Sequence, residues 1–249
     1  MIALRTAREL ELLRDAGRIS AQALQVAGEH CKPGVSTKEI DTAIRTFILS
    51  TGATPNFYHY GGFPGNACIS VNDTVIHGIP SKHEILKEGD IVSVDVGALY
   101  KGYHGDNAYT FTVGEVSKEA KQLLEVTEKS LYEAIKAAQP GNRLGDVGYA
   151  VESTVTPYGY GIVRQYVGHG VGTDLHEEPE VPNFGKPGHG IRLVPGMVIA
   201  IEPMINGKGD AVKLLSDGWT VKTASGSLAA HFEHTIAITK DGPIILSEA

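Results

Sequence analysis

The chain has 249 residues, with 22 basic against 29 acidic side chains for a formal net charge of −7, 42% hydrophobic residues and two cysteines. A chain of this length buries roughly 70–75% of its unfolded surface, so a full core needs no disulfide staples. No run approaches about 18 apolar residues, which excludes a membrane-spanning helix, and the acidic balance argues against a nucleic-acid surface.

In chain order, Thr6 with Glu9 and Ser36 with Glu39 each place a hydroxyl three residues ahead of a carboxylate at the head of an apolar periodic run. Both are capping boxes, predicting helices over 7–29 and 37–50 that end toward Lys32-Pro33-Gly34 and at Gly52. The first stretch carries charges throughout and reads as an amphipathic helix, not as a signal peptide. Residues 53–66, rich in Gly, Pro and aromatics, read as a loop. Strands are predicted at 67–71, 91–96 and 108–113, helices at 118–138 and 143–155, and strands at 162–167, 198–205 and 231–238. Helices alternating with groups of strands predict an α+β fold. Cys31 and Cys68 match neither a zinc knuckle nor a redox pair, so a cytoplasmic protein is expected.

An internal repeat is visible. Gly89-Asp-Ile-Val-Ser-Val-Asp95 and Gly196-Met-Val-Ile-Ala-Ile-Glu202 share one pattern of small, apolar and acidic positions at an offset of 107 residues, which also carries Pro33-Gly34 onto Pro140-Gly141. Thr74-Val-Ile-His77-Gly-Ile-Pro80 echoes Thr173-Asp-Leu-His176-Glu-Glu-Pro179 at an offset of 99. These ordered landmarks predict a duplicated α+β unit, a single domain of residues 1–249 with halves of about 1–115 and 116–249. Pairing about a pseudo-twofold axis would set Asp95 against Glu202, and His77 against His176, in a central cleft.

The chemistry rests on acids at strand positions. Asp95 alternates with Val92-Ser-Val94, so it is presented off an otherwise buried strand, and Asp106 follows eleven residues later beyond a glycine-rich hairpin. His169 lies in Gly168-His-Gly-Val-Gly172, where glycines are expected to clear space for a ligand, Glu202 ends an apolar strand before Pro203, and Glu233 lies in His231-Phe-Glu-His234-Thr. Taken singly, each is an ordinary turn or strand residue; together they are four carboxylates and one imidazole. Two carboxylates about 4 Å apart repel by roughly 4 kcal/mol at an effective dielectric of 20, so four converging acids need cations or protons. Two divalent ions satisfy them, the imidazole favouring Mn²⁺, Fe²⁺, Co²⁺ or Zn²⁺, and the implied chemistry is activated water attacking a carbonyl or phosphoryl group. His77 and His176 remain to donate to an oxyanion or hold a substrate nitrogen.

With these residues assembled, the chain resembles the type I methionine aminopeptidases of bacterial, minimal length. The motifs are Val-Ile-His77-Gly-Ile-Pro, Val-Ser-Val-Asp95-Val-Gly, Gly-Tyr-His-Gly-Asp106, Val-Gly-His169-Gly-Val-Gly, Leu-His176-Glu-Glu-Pro, Ala-Ile-Glu202-Pro and His-Phe-Glu233-His-Thr, in order along nearly the whole chain. The resemblance implies the pita-bread fold and a dinuclear site at Asp95, Asp106, His169, Glu202 and Glu233. It also implies removal of the initiator methionine from nascent or new proteins whose second residue is small. It assigns His77 to the substrate near the scissile amide nitrogen, His176 to the tetrahedral intermediate, and Glu202 a second role as proton shuttle. Its methionine pocket maps onto Tyr60, Phe63, Cys68 and Trp219, with Phe57 and Leu175 at the edge; Leu175 stands where Phe is common, and Phe57 where some relatives carry a smaller residue. A monovalent cation, Na⁺ or K⁺, held by carbonyls near Asn72, Thr74 and Ala229, a monomeric state and a transient ribosome contact are further implications.

The rivals are a proline-directed aminopeptidase or creatinase-like enzyme of the same fold, which carries a substantial N-terminal domain, a non-catalytic binding module of that fold, which loses metal ligands, and a dinuclear phosphoesterase, which calls for more imidazoles and basic residues.

Overall fold

The structure, a computed structural model, describes residues 2–249. Both capping boxes form: the Glu9 N–H donates to the Thr6 hydroxyl and the Thr6 N–H to the Glu9 carboxylate, and Glu39 and Ser36 repeat the exchange. They open α1 (Ala7–His30) and α2 (Thr37–Ser50); α3 (Lys118–Ala137) and α4 (Leu144–Val155) follow in the second half. The strands of the first half are β1 (Thr54–Pro55), β2 (Cys68–Val71), β3 (Thr74–Ile76), β4 (Ile91–Tyr100) and β5 (Tyr103–Thr112). Those of the second are β6 (Gly161–Ile162), β7 (Gly168–Gly170), β8 (Glu177–Val181), β9 (Val198–Ile201), β10 (Met204–Asn206), β11 (Val212–Leu214), β12 (Val221–Thr223), β13 (Ala229–His231), β14 (Glu233–Thr239) and β15 (Gly242–Ile245).

An antiparallel sheet of nine strands runs β1-β4-β5-β14-β9-β7-β8, with β2 also on β4 and β15 also on β14. Two three-stranded sheets, β13-β10-β6 and β11-β12-β3, flank it. The duplication is written in the hydrogen bonds. Isolated bridges join Ser36 to Ile85 and Arg143 to Arg192, and the Gly34 and Gly141 N–H groups donate to Leu86 and Leu193 at 2.8 Å, every pair offset by 107 residues. Likewise β2, β4 and β5 correspond to β7, β9 and β14, and the halves meet where β5 pairs β14.

Strand alternation sorts the side chains. Val92, Val94 and Val96 pack with Ile19, Leu24, Ile40 and Ile44 of α1 and α2, while Ile199, Ile201, Ile236 and Ile238 pack with residues of α3 and α4. Each half thus buries one sheet face under its own helix pair; the acids stand on the opposite face, which packs against Leu13 of α1 at Val198, Ala200 and Ala237. Gly105, on the helix side of β5, lets α1 approach so closely that a Cβ there would stand 2.3 Å from the Ala16 carbonyl oxygen.

Three strand predictions need correction. The 162–167 segment is a strand only at Gly161–Ile162, because β6 pairs β10 for two residues before the chain turns toward the cleft. The segments 198–205 and 231–238 each break, at Glu202-Pro203 and at Phe232. At these points both chains leave the nine-stranded sheet for a three-stranded one: Ile201 pairs His234 on one side and Met204 pairs His231 on the other.

Gly105→Ala is expected to destabilise the protein by about 1–3 kcal/mol through forced separation of α1 from β5. Urea unfolding checks this; an unchanged midpoint would contradict the packing described.

Candidate metal centre

Asp95 on β4 pairs across to Ala108 on β5, and Ala108 pairs across to Glu233 on β14. The three therefore form one row over three strands, and Asp106, two residues from Ala108, shares their face. The lone methyl of Ala108 leaves the space between the flanking acids unfilled. Glu202 reaches the same place from the corner where β9 ends, and His169 from β7 beside β9.

His169 Nε2 lies 3.6 Å from Asp106 Oδ2 and 3.4 Å from Glu202 Oε1. His231 Nε2 lies 3.6 Å from Glu202 Oε2 and 4.0 Å from Glu233 Oε2. The two His169 separations are long for hydrogen bonds, but donors about 2.1 Å from a shared tetrahedral ion stand about 3.4 Å apart. Donor atoms of Asp106, His169 and Glu233 fall within 4.8 Å of one another, as do those of Glu202, His231 and Glu233. Asp95 stands in the row outside both tight groups. Asp95 Oδ1, Asp106 Oδ1, Glu233 Oε1 and His231 Nε2 are buried with no hydrogen-bond partner among the described residues. Orphaned oxygens of this kind, beside imidazole, suit a divalent cation.

Burial dominates the electrostatics. It pushes the Asp106 and Glu233 carboxyls well above their ordinary range, neighbouring acids adding to the shift, and raises Asp95 and Glu202 as well. It lowers His169 to about 3 and His77 to about 4, and lowers His176 and His231 too. His169 Nδ1–H donates to the Gly170 carbonyl at 2.9 Å, which leaves the Nε2 lone pair facing the acids.

A cavity of about 550 Å³ opens from this row. Phe57, Phe63, Cys68 and Leu175 make one buried apolar cluster against which Trp219 packs, and Tyr60, 43% exposed, stands at the mouth. Leu175 and Phe57, expected at the pocket edge, are only 2% and 8% exposed and belong to its wall. His77 and His176 line the same cavity, His176 with its ring centroid 4.1 Å from that of His169 and its Nδ1 2.7 Å from the Tyr60 hydroxyl. Gly168 and Gly170 do not clear space for a ligand as expected: a Cβ on either would strike the Ala200 or Glu178 carbonyl oxygen, so they admit neighbouring strands. His231 was assigned no role from sequence, although it stands two positions before Glu233 in an alternating run. Tyr166 of the cavity wall, whose ring meets His77 edge-on, carries no comparable signal.

Residues 11–240 match metallopeptidase family M24. Methionine aminopeptidase 1 of Bacillus subtilis is 51% identical over 247 residues, 99% of each chain, and the methionine aminopeptidase of Clostridium acetobutylicum is 50% identical with the same coverage. The crystal structure of the Thermotoga maritima methionine aminopeptidase matches with a TM-score of 0.98 at 45% identity over 100% of both chains. The chain belongs to metallopeptidase family M24, in its methionine aminopeptidase branch. It is a metal-dependent aminopeptidase, and its carboxylate and imidazole cluster suits a divalent metal. A prolidase of Pyrococcus horikoshii shares the pita-bread fold at a TM-score of 0.79 and 25% identity, but the chain covers 63% of that longer protein.

Without metal, the carboxylates and imidazoles give stability opposite pH slopes. The folded protein holds carboxyl protons up to about pH 7 at Asp95 and about 8 at Glu202, whereas the unfolded chain releases them near 4, so stability falls as pH rises through that window. The buried imidazoles resist protonation that the unfolded chain accepts at about 6.5, so stability falls as pH drops below that value. In chelator, Tm is expected to peak near about pH 6–7 and decline toward about 8.5, and added Mn²⁺ should raise it most at the alkaline end. A chelated Tm that stays flat from about pH 6.5 to 8.5 would contradict this.

Proposed function

We propose that this site hydrolyses the first peptide bond of chains that begin with methionine and carry a small second residue, using residues 1–249 as one catalytic unit. The observation that carries the reading is the junction of an acidic row with an apolar pocket: a free N-terminus and its scissile bond fit the row while the first side chain enters the pocket. Aromatic and aliphatic walls with one thiol suit a flexible thioether.

Asp95, Asp106, His169, Glu202 and Glu233 would hold two divalent ions of the Mn, Fe, Co or Zn class. When bound, such ions polarise a carbonyl and acidify water toward neutral pH. The chain's own residues do the rest. Phe57, Phe63, Cys68, Leu175 and Trp219 receive the methionine side chain, with Tyr60 at the entrance. His77, held neutral by burial and set at a φ of 58°, faces the amide nitrogen. With the Tyr60 hydroxyl, 2.7 Å away, as donor to His176 Nδ1, the proton would sit on Nε2, where it would meet the developing oxyanion. Glu202 carries a proton from the attacking water to the departing amine.

A monovalent cation at the carbonyls of Asn72, Thr74 and Ala229 is part of the proposal; the Ala229 N–H, donating to the Asn72 carbonyl at 2.8 Å, holds these segments together. So are nascent-chain substrates met by transient ribosome contact, a monomeric state and a cytoplasmic location. The free thiols of Cys31 and Cys68 support that location, and among the described residues no helix is long and apolar enough to cross a membrane.

Chelator-stripped protein is expected to release no methionine from Met-Ala-Ser and to regain release with Mn²⁺, Fe²⁺, Co²⁺ or Zn²⁺, with Pro-Ala-Ser and Met-Leu-Ser inert. Cleavage of Pro-Ala-Ser, or silence with every ion in folded protein that binds them, would overturn the reading. His176→Ala is expected to lower kcat on the order of 10²-fold with little change in KM, and an unchanged kcat would refute the oxyanion role.

A further inference from the structure

We propose that His231 is a positioning residue for this centre: its Nε2–H holds Oε2 of Glu202, so that Oε1 stays turned toward His169 Nε2, where the two would hold a divalent ion. The inference rests on the metal-site reading above.

The two oxygens of Glu202 face different imidazoles, Oε1 lying 3.4 Å from His169 Nε2 and Oε2 lying 3.6 Å from His231 Nε2. The first imidazole has its Nε2 freed as a lone pair by the Gly170 carbonyl. The second has a buried Nε2 with no hydrogen-bond partner among the described residues, on a side chain 2% exposed. A buried N–H without an acceptor is costly, and shortening this one separation satisfies it. The other carboxylate oxygen near the ring, Glu233 Oε2, is farther away at 4.0 Å.

The ring also stands on a fixed base. The His231 N–H donates to the Thr110 hydroxyl at 3.0 Å, and that hydroxyl donates to the His231 carbonyl at 2.7 Å. Thr110 belongs to β5, the strand that carries Asp106, and Met204 pairs with His231 just past Glu202. The imidazole is thereby referenced to both carboxylates and can fix the rotamer of Glu202, as outer groups do for metal ligands.

The test is Co²⁺ binding to chelator-stripped wild type, His231→Gln and His231→Leu by calorimetry and visible absorption, with circular dichroism for folding. Glutamine can place an amide N–H near the position of Nε2, and leucine cannot. The expected result is near wild-type affinity and spectrum for His231→Gln, and tighter-site affinity weakened about 10–100-fold for folded His231→Leu. Leucine binding as tightly as wild type would overturn the inference. Glutamine as weak as leucine with an altered cobalt spectrum would overturn it in favour of direct coordination. Should the leucine variant not fold, long-range ¹H–¹⁵N spectra of Zn²⁺-loaded wild type decide: a protonated Nε2 on His231 supports positioning, and a metallated one refutes it. Wild type that binds no divalent ion at all would sink the metal-site reading itself.

Discussion

Four carboxylates, Asp95, Asp106, Glu202 and Glu233, are held in one buried patch beside two imidazoles, and among the described residues no lysine or arginine lines the cavity. At about 4 Å and an effective dielectric near 20, each close pair costs roughly 4 kcal/mol when both are charged. Protons or divalent cations must supply the compensation, and much of the site follows from that requirement. Burial and the neighbouring charges favour the protonated form of the acids, burial favours neutral histidines, and the Gly170 carbonyl fixes the tautomer of His169 so that it offers a lone pair.

Concentrating so much charge is possible because the scaffold does not depend on it. The apolar faces of β4, β9 and β14 are covered by the helix pairs, and cores built on Val94 and Val96 in one half and on Ile199 and Ile236 in the other supply cohesion away from the acids. The opposite face carries the acids at the cleft and packs against α1 farther along. Where β9 and β14 hand over to β10 and β13, the Pro203 carbonyl accepts from the Phe232 N–H, so Glu202 and Glu233 leave the sheet at a common corner and converge without a helix or a long loop to carry them.

The pocket joins the halves. Phe57, Phe63 and Cys68 come from the first, Leu175 and Trp219 from the second. The loop before β8 is anchored by Glu177, which accepts from the Thr173 and Asp174 N–H groups and pairs with Arg5 at the start of the chain. His176 is thus fixed from behind while its ring faces the cleft. Substrate selection and bond cleavage share one wall because a single antiparallel sheet sets both.

Local chemistry made much of this legible in the sequence. The capping boxes set α1 and α2, strand alternation put Asp95 opposite Val94, and the offset of 107 residues foretold the duplicated bridges at Ser36–Ile85 and Arg143–Arg192. Such signals are carried within a few residues or by repetition, so they need no folded context. The tertiary structure alone decided that two predicted strands break to change sheets, that Gly168 and Gly170 serve strand packing, and that Leu175 is wall and not rim. It also decided that His231 turns toward Glu202. Each of these depends on which backbone lies across from which, a contact between residues tens of positions apart. An unpaired sequence can say that a side chain alternates with its neighbour, but the identity of the group it meets is set when the strands pair.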